Sequence, residues 1–150
     1  MREHLFRAQT DVPAPIDEVF AFFADATNLA RITPSKLAFR VLTPSPIEMR
    51  VGTIIDYRLR VRGIPVRWRT RIAAWEPGRR FVDEQLKGPY RRWIHQHSFE
   101  AIGGGTRMTD EVRYIVPMGW IVHAWLVRPD IERIFAYREQ VIREHFKRPA

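Results

Sequence analysis

The middle of the chain, between residues 37 and 116, consists of strand-like runs separated by short breaks that contain proline or glycine. Short connections between consecutive strands are typical of antiparallel pairing. The pattern therefore predicts an antiparallel meander of six strands. The predicted strands span residues 37–43, 53–62, 66–76, 80–87, 91–101 and 106–116.

The segments that flank this meander have different periodicities. Residues 3–12 predict a first strand, and the apolar residues of 16–23 recur at the spacing of one helical face. A second short helix is predicted over 27–32, and a long helix over about 119–146 that Pro129 should kink or divide. This order predicts an α+β fold in which a twisted seven-stranded antiparallel sheet curls around the last helix and leaves space between them.

Composition limits the class of protein. The chain has 150 residues, of which 45% are hydrophobic and 28% charged, as in soluble globular proteins. The absence of cysteine excludes disulfides and thiolate metal sites. The N-terminus lacks the apolar segment of a secretory signal, and the apolar run at 120–127 is too short to cross a bilayer. We therefore expect a single cytoplasmic domain over residues 1–150, either a monomer or a homodimer.

Six arginines alternate with apolar residues on two neighbouring predicted strands, so they line one face of a hairpin whose other face is apolar. With a net charge of +8, this face has two interpretations: a solvated sheet surface, or a transient contact with an anionic membrane or an acidic protein. No aromatic side chain shares their face to stack on bases, so nucleic acid is not expected as a partner. The arginines are Arg58, Arg60, Arg62, Arg67, Arg69 and Arg71.

The segment from Trp93 to Phe99 brings two histidines to one side of a predicted strand. His95 and His97 have the same parity, so they point in the same direction. Trp93 and Phe99 share this parity, which makes this side the one expected to be buried. Burying two imidazoles lowers the stability of the folded protein unless each ring has a hydrogen-bond partner. The interior is therefore a candidate chemical site.

Carboxylates on the neighbouring strands are the expected partners. Asp110 alternates with apolar Met108 and Val112, so it should face inward beside the histidines. The parity of residues 81–86 is ambiguous, because both faces of that strand mix apolar and polar residues. In one of the two orientations Asp83 and Gln85 would also face inward.

Several interpretations of this histidine group remain open. The His–Asp pairs would either stabilise the core, orient the polar end of an apolar ligand, or transfer a proton to or from a carbonyl-containing substrate. A metal site is a weaker alternative, because no third histidine is placed by the pattern. No phosphate-binding or dinucleotide-binding motif is present in the sequence. We therefore predict no metal and no cofactor.

Arg138 interrupts the apolar stripe of the predicted last helix. One interpretation places it at the edge of the stripe, with a packed stem and a solvated head. In the other, its guanidinium group faces the interior and recognises a carboxylate or carbonyl of a ligand.

Several short motifs are shared with a known superfamily. They are Ala14-Pro15, Glu18-Val19-Phe20, Asp25, Pro34, the segment Gly88 to Glu100 and the segment Gly103 to Tyr114. Together they resemble the START-like helix-grip superfamily (SRPBCC), in particular its polyketide cyclase/dehydrase and lipid-transport branch. The resemblance implies an apolar cavity between the sheet and the C-terminal helix, which binds a lipid, quinone, aromatic or polyketide-like molecule.

The resemblance and the strand parity together give two functional hypotheses. The first is a binding protein for a hydrophobic small molecule; the second is a cyclase or dehydratase in which a histidine and Asp110 transfer protons. The predicted ligand contacts are Tyr57, Leu59, Trp68, Asp83, Gln85, Trp93, Phe99, Met108, Val112, Phe135 and Arg138. The predicted catalytic residues are His95, His97 and Asp110.

Overall fold

The computed structural model describes residues 2–117 and 126–147. Seven strands and two α-helices are present in these ranges, together with two short 3₁₀ helices at Ala26–Leu29 and Ser35–Leu37. The elements are β1 (His4–Val12), α1 (Ile16–Ala24), β2 (Arg40–Val41), β3 (Ile54–Val61), β4 (Ile64–Glu76), β5 (Arg80–Lys87), β6 (Arg92–Ile102), β7 (Gly105–Ile115) and α2 (Arg128–His145).

All seven strands form one antiparallel sheet in the order β1-β7-β6-β5-β4-β3-β2. The strands from β2 to β7 are neighbours in the order in which they follow one another in the chain, which confirms the predicted meander. β1 pairs with β7 along its whole length, from His4 opposite Tyr114 to Val12 opposite Thr106. As a result, β6 lies between β5 and β7, and the side chains of these three strands meet on the inner face of the sheet.

Two predicted elements differ from the observed ones. The strand predicted over 37–43 is reduced to Arg40–Val41, and the helix predicted over 27–32 is replaced by the first 3₁₀ helix. Of the long helix predicted over about 119–146, the structure describes α2, with Pro129 in its first turn. Leu126 and Val127 precede it in π-helical geometry, and the predicted stretch 119–125 lies outside the described residues.

The core lies between the inner face of the sheet and the two helices. One buried group joins Phe20 and Phe23 of α1 to Phe99 and Met108 of the sheet and to Ile142 of α2. A second buried group consists of Phe6, Val112, Tyr114, Val116, Ile131 and Phe135. Aromatic side chains therefore fill most of the space in which a large cavity was predicted.

No helix within the described residues is long and apolar enough to cross a membrane.

Candidate functional site

Strand β6 places both histidines on the inner face, where their side chains are buried. His95 is 5% exposed and His97 is 3% exposed. In the sheet register, Asp83 of β5 lies opposite His95, and Asp110 of β7 lies opposite His97. The parity of β5 that was ambiguous in the sequence is thus settled, since Asp83 faces inward.

The shortest hydrogen bond of each histidine is to the aspartate diagonal to it, and His97 Nδ1 also lies 3.4 Å from Asp110 Oδ1, directly opposite. His95 Nε2 lies 2.8 Å from Asp110 Oδ1, and His97 Nε2 lies 2.6 Å from Asp83 Oδ2. Both distances are those of strong, charge-assisted hydrogen bonds. The two imidazole rings stack with their centres 3.6 Å apart, so the four side chains form one contiguous polar group.

Arg138 of α2 completes this group from the helix side. Its Nη2 lies 3.2 Å from Asp110 Oδ1 and 3.3 Å from His97 Nδ1. The residue is 7% exposed, and its guanidinium carbon lies 5.3 Å from the ring centre of Phe23 and 5.6 Å from that of Phe135. Its head is therefore inside the domain, which contradicts the interpretation with a solvated head.

One donor of this buried guanidinium group lacks a partner. Arg138 Nε makes no hydrogen bond with any residue in the described ranges. A buried donor without an acceptor costs about 1–3 kcal/mol. The oxygen of a ligand or of an ordered water molecule placed beside Nε would remove this cost.

The two histidines have opposite pKa shifts. Burial, followed by the positive charge that His97 can carry, lowers the pKa of His95 to about 4. Burial also opposes a charge on His97, but hydrogen bonds to Asp110 and Asp83 outweigh it, so the pKa of His97 is raised above 6.5. Of the two imidazoles, His97 is therefore the one that takes up a proton at the higher pH.

Both aspartates remain ionised despite their burial. Burial alone would raise the pKa of Asp110, but the Arg138 charge and the hydrogen bonds from the two histidines hold it well below 3.8. Burial would likewise raise the pKa of Asp83, but the hydrogen bond from His97 together with the charges of His97, His95 and Arg138 lowers it. With His97 protonated, the group contains two negative and two positive charges, so its net charge is zero.

A small cavity of about 30 Å³ adjoins this polar group. Asp83 and His97 form its polar end, and its apolar walls come from α1, the first 3₁₀ helix, β3, β4 and β5. Its volume corresponds to about two water molecules, far less than the roughly 300–1,000 Å³ of drug-sized ligand pockets. The lining residues are Phe22, Phe23, Asp25, Ala26, Asn28, Leu29, Ile32, Met49, Ile55, Tyr57, Ile72, Phe81, Asp83 and His97.

Few of the residues predicted to contact a ligand line this cavity. Tyr57 and Asp83 do so, as does His97 from the predicted catalytic group. Phe99, Met108, Val112 and Phe135 are packed into the two core groups, Leu59 is partly buried on β3, and Trp68 and Trp93 contact each other at 5.3 Å between ring centres. These side chains fill space between the sheet and α2, where an apolar cavity was predicted, and the described cavity lies instead beside α1.

Gln85 also has a structural role that the sequence did not indicate. Its Nε2 donates to the carbonyl oxygen of Tyr90 at 2.6 Å, and its Oε1 accepts from the Tyr90 N–H at 3.2 Å. These two hydrogen bonds stabilise the turn between β5 and β6. Both ends of the amide are used in this way, so Gln85 does not reach the histidines as predicted.

Residues at the mouth of the cavity were missed by the sequence analysis. Asp25 Oδ1 accepts hydrogen bonds from the Thr27 N–H and hydroxyl group, and Asn28 Nδ2 donates to the Phe22 carbonyl oxygen at 2.8 Å. Such local bonds end α1 and begin the 3₁₀ helix. The Asp-Ala-Thr sequence signals this turn, but no pattern in the sequence indicates that the turn borders a cavity.

Three side chains lie close enough together to coordinate one metal ion. Asp83, His95 and His97 present ligand atoms that all lie within 4.8 Å of one another. Arg138 Nη2, however, lies 3.3 Å from His97 Nδ1, and a positive charge at this distance raises the free energy of a divalent cation. The group is better suited to hold a proton or a neutral oxygen acceptor.

A larger and shallower groove, of about 520 Å³, lies along residues 43–53. Its charged residues, Glu48 and Arg50, are exposed. It shares no lining residue with the cavity beside His97, and we assign no chemistry to it.

Comparison with known proteins gives a family and a fold. Residues 12–138 match the family model described as "Polyketide cyclase / dehydrase and lipid transport". The sequence matches no curated protein. Three solved structures with the same fold are similar to this chain at low sequence identity.

The first is the Zhui aromatase/cyclase from Streptomyces sp. R1128, with a TM-score of 0.75 and 16% identity over 98% of this chain and 95% of that one. The second is protein CV1439 from Chromobacterium violaceum, with a TM-score of 0.76 and 15% identity over 97% and 99% of the two chains. The third is the major latex-like protein 151 from Panax ginseng, with a TM-score of 0.72 and 12% identity over 97% and 99%. These likenesses confirm the helix-grip architecture.

Proposed function

Because this chain belongs to the polyketide cyclase/dehydrase and lipid transport family, we propose that it is a single ligand-binding domain for a small hydrophobic molecule with one oxygen-bearing end. The apolar part of the molecule would occupy the cavity beside α1, and its oxygen would meet the polar group formed by Asp83, His97 and Arg138. No metal or cofactor takes part in this proposal.

The observation that carries the proposal is the position of the Asp83–His97 pair on the wall of an otherwise apolar cavity. Most ligand sites combine apolar walls with a few polar groups that fix orientation. Here Asp83 keeps 19% of its side chain exposed while it is bonded to a histidine that is only 3% exposed. The free donor at Arg138 Nε supports the same conclusion, since it lacks an acceptor among the described residues.

Entry of such a molecule requires the cavity to enlarge. Its inner wall belongs to the sheet, whereas Phe22, Phe23 and Leu29 belong to α1 and the 3₁₀ helix that follows. The sheet strands are joined by hydrogen-bond ladders, with register shifts in the β4–β5 pair, so we expect the helical side to yield. We propose that a ligand displaces the side chains of this segment and enters between Asp25 and Met49.

A fluorescent probe tests binding at this place. The neutral fluorophore N-phenylnaphthylamine should bind the purified protein with increased emission, and Ala26→Leu should weaken binding by about tenfold or more, because a larger side chain fills the cavity at a residue that lines it. Ala101→Leu, on an exposed part of β6, is the matched control and should leave affinity unchanged. Equal affinity in both variants would place the probe elsewhere and overturn the proposal.

A second function is favoured by the protonation of the histidines. His97 lies between two carboxylates, has a raised pKa, and borders the cavity, which are properties of a proton-transfer group. We propose, as the alternative, that neutral His97 removes a proton from the carbon beside a ligand carbonyl, and that Arg138 stabilises the negative oxygen formed. The aromatase/cyclase with the same fold makes this class of reaction the first to test.

Exchange of hydrogen for deuterium detects this chemistry directly. The protein should accelerate the exchange of the acidic protons of benzoylacetone for deuterium in deuterated water. Proton NMR measures this exchange as a loss of signal. His97→Gln should reduce the acceleration to the rate in buffer alone, whereas His145→Gln, at an exposed histidine on α2, should retain it. If wild type gives no acceleration while the fluorophore still binds, the domain is a binding protein only.

A further inference from the structure

The solvent-facing side of the sheet has a row of positive charges that runs across three strands. In the ladders, Arg40 of β2 lies opposite Arg58 of β3, and Arg58 lies opposite Arg67 of β4. Neighbouring strands are about 4.8 Å apart, so these three side chains are close to one another. Like charges directly opposite each other destabilise a sheet. The fold therefore maintains an arrangement that is unfavourable for the isolated protein.

Within the described residues, the arginines of this row form no ion pair of their own: the charge of Arg67 acts on Asp56, but that carboxylate is bound by Arg69. Arg40, Arg58 and Arg67, together with Arg60 one step along β3, are exposed and make no ion pair or hydrogen bond within residues 2–117 and 126–147. We call these four residues the arginine row.

Two arginines of β4 next to the row form ion pairs within the protein. Arg69 binds Asp56 at 2.8 Å, and Arg71 binds Glu84, so these two charges are neutralised locally. Lys87 lies opposite Arg69 in the ladder and adds a further positive charge. Arg62, which the sequence analysis assigned to the same face, lies in the hairpin turn and contacts Asp130 of α2 at 3.2 Å. The unneutralised charge is thus concentrated on the arginine row.

Aliphatic side chains are exposed beside the arginine row. Ile54 of β3 has the same parity as Arg58 and is 39% exposed. Leu42, two residues after Arg40, is 36% exposed and has the same parity as Arg40, since its N–H continues the pairing with β3 by donating to the Asp56 carbonyl oxygen at 2.7 Å. Basic residues beside exposed aliphatic ones are typical of surfaces that lie on anionic membranes.

We propose that the arginine row binds the surface of a bilayer that contains anionic lipids, with Leu42 and Ile54 in contact with the boundary between headgroups and acyl chains. Nucleic acid fits this surface less well, because the large apolar side chains exposed on the described strands are aliphatic, and no aromatic side chain is offered for stacking on bases. An acidic protein would neutralise the charges but would give Leu42 and Ile54 no apolar phase to enter. The proposal does not depend on the ligand that the interior takes.

Co-sedimentation with vesicles tests this surface. The protein should bind vesicles of phosphatidylcholine with phosphatidylglycerol, should not bind phosphatidylcholine alone, and should be released as salt concentration rises. The triple variant R40Q/R58Q/R67Q should lower the partition coefficient by about 100-fold, given the usual contribution of each basic residue near an anionic surface. Ile54→Ser should weaken binding further without a change in charge.

A matched control separates this surface from the net charge of the protein. R7Q/R91Q/R113Q removes the same number of charges from exposed arginines of β1, β7 and the turn before β6, and should lower binding by less than tenfold. An equal loss in both triple variants would overturn the proposal, as would no binding of wild type to the anionic vesicles. Tighter binding of duplex DNA than of vesicles, with the same dependence on Arg40, Arg58 and Arg67, would also overturn it.

Thermal unfolding shows whether each variant is folded. Removing opposed like charges should make the R40Q/R58Q/R67Q protein at least as stable as wild type, so a loss of vesicle binding in this variant is not explained by unfolding. Ile54→Ser changes a single exposed side chain and provides a second measure of the same surface.

Discussion

The imidazole rings of His95 and His97 stack with their centres 3.6 Å apart, yet their pKa values shift in opposite directions. The two rings are buried to nearly the same degree, so burial does not explain the difference. His97 contacts two carboxylates and His95 contacts one. A proton on His97 is therefore stabilised more, and its charge in turn disfavours a proton on His95.

This asymmetry predicts two separate titrations. In proton–nitrogen NMR spectra of the histidine side chains, His97 should titrate above pH 6.5, and His95 should remain neutral down to about pH 4. His97→Gln should raise the pKa of His95, because it removes a positive neighbour. A single shared titration near 6.5 for both rings would contradict the geometry.

The same shifts predict how stability depends on pH. The raised pKa of His97 contributes stability that is present below about pH 6.5 and is lost as the pH rises through its folded pKa. The lowered pKa of His95 acts in the other direction: its contribution is present above about pH 6.5 and is lost as the pH falls towards 4. Urea denaturation between pH 4 and 8 should therefore show a broad maximum, and His95→Gln should flatten its acidic side.

Asp110 is expected to be the most important residue of the group for stability. Asp110→Asn leaves the buried Arg138 guanidinium group without its carboxylate and should lower the free energy of unfolding by about 3–5 kcal/mol. Asp11→Asn, which breaks the exposed contact with Arg107 at 2.9 Å, is the matched control and should have a much smaller effect. Urea denaturation measures both.

A double variant examines the cause of that loss. Adding Arg138→Met to Asp110→Asn removes the unpaired buried charge, so the double variant should be more stable than Asp110→Asn alone. If the double variant has a lower free energy of unfolding than Asp110→Asn, the contribution of Asp110 to stability comes from its hydrogen bonds to the histidines rather than from its pairing with Arg138.

The opposed arginines on the outer side of the sheet give a prediction that concerns stability alone. Arg58→Gln should raise the melting temperature by about 1–3 °C, because it removes a positive charge that lies between Arg40 and Arg67. The gain should disappear in high salt, where the repulsion is screened. Arg113→Gln, whose ladder partners are Leu5 and Ile94, should change the melting temperature less; a similar gain there would indicate a general effect of net charge.

Much of the fold was predictable from local pattern. Two-residue alternation identified the inner face of β6 and of β7, because Trp93 and Phe99 in one strand and Met108 and Val112 in the other mark the buried side clearly. The turn residues identified the order of the strands, and short connections required that neighbours pair. Asp110 could therefore be assigned to the interior from the sequence.

The orientation of β5 could not be predicted in this way. Phe81, Asp83 and Gln85 on one side are no more apolar than Val82, Glu84 and Leu86 on the other. Pairing with β4 and β6 decides the matter, because Asp83 lies opposite Ile72 and His95. The position of Arg138 was also ambiguous, and only the packing of α2 against the sheet brings its guanidinium group to Asp110.

For strands with a clear apolar alternation, such as β6 and β7, the amino-acid sequence by itself determined which side chains face the interior, since that depends on backbone periodicity along a single strand. It did not determine which of them touch, nor how much space they leave. The diagonal pairing of His97 with Asp83 depends on the register between two strands, and the cavity of about 30 Å³ is the small difference between the volume enclosed by the fold and the volume of the aromatic side chains that fill it. Both are set by residues far apart in the chain, so only the tertiary structure decides them.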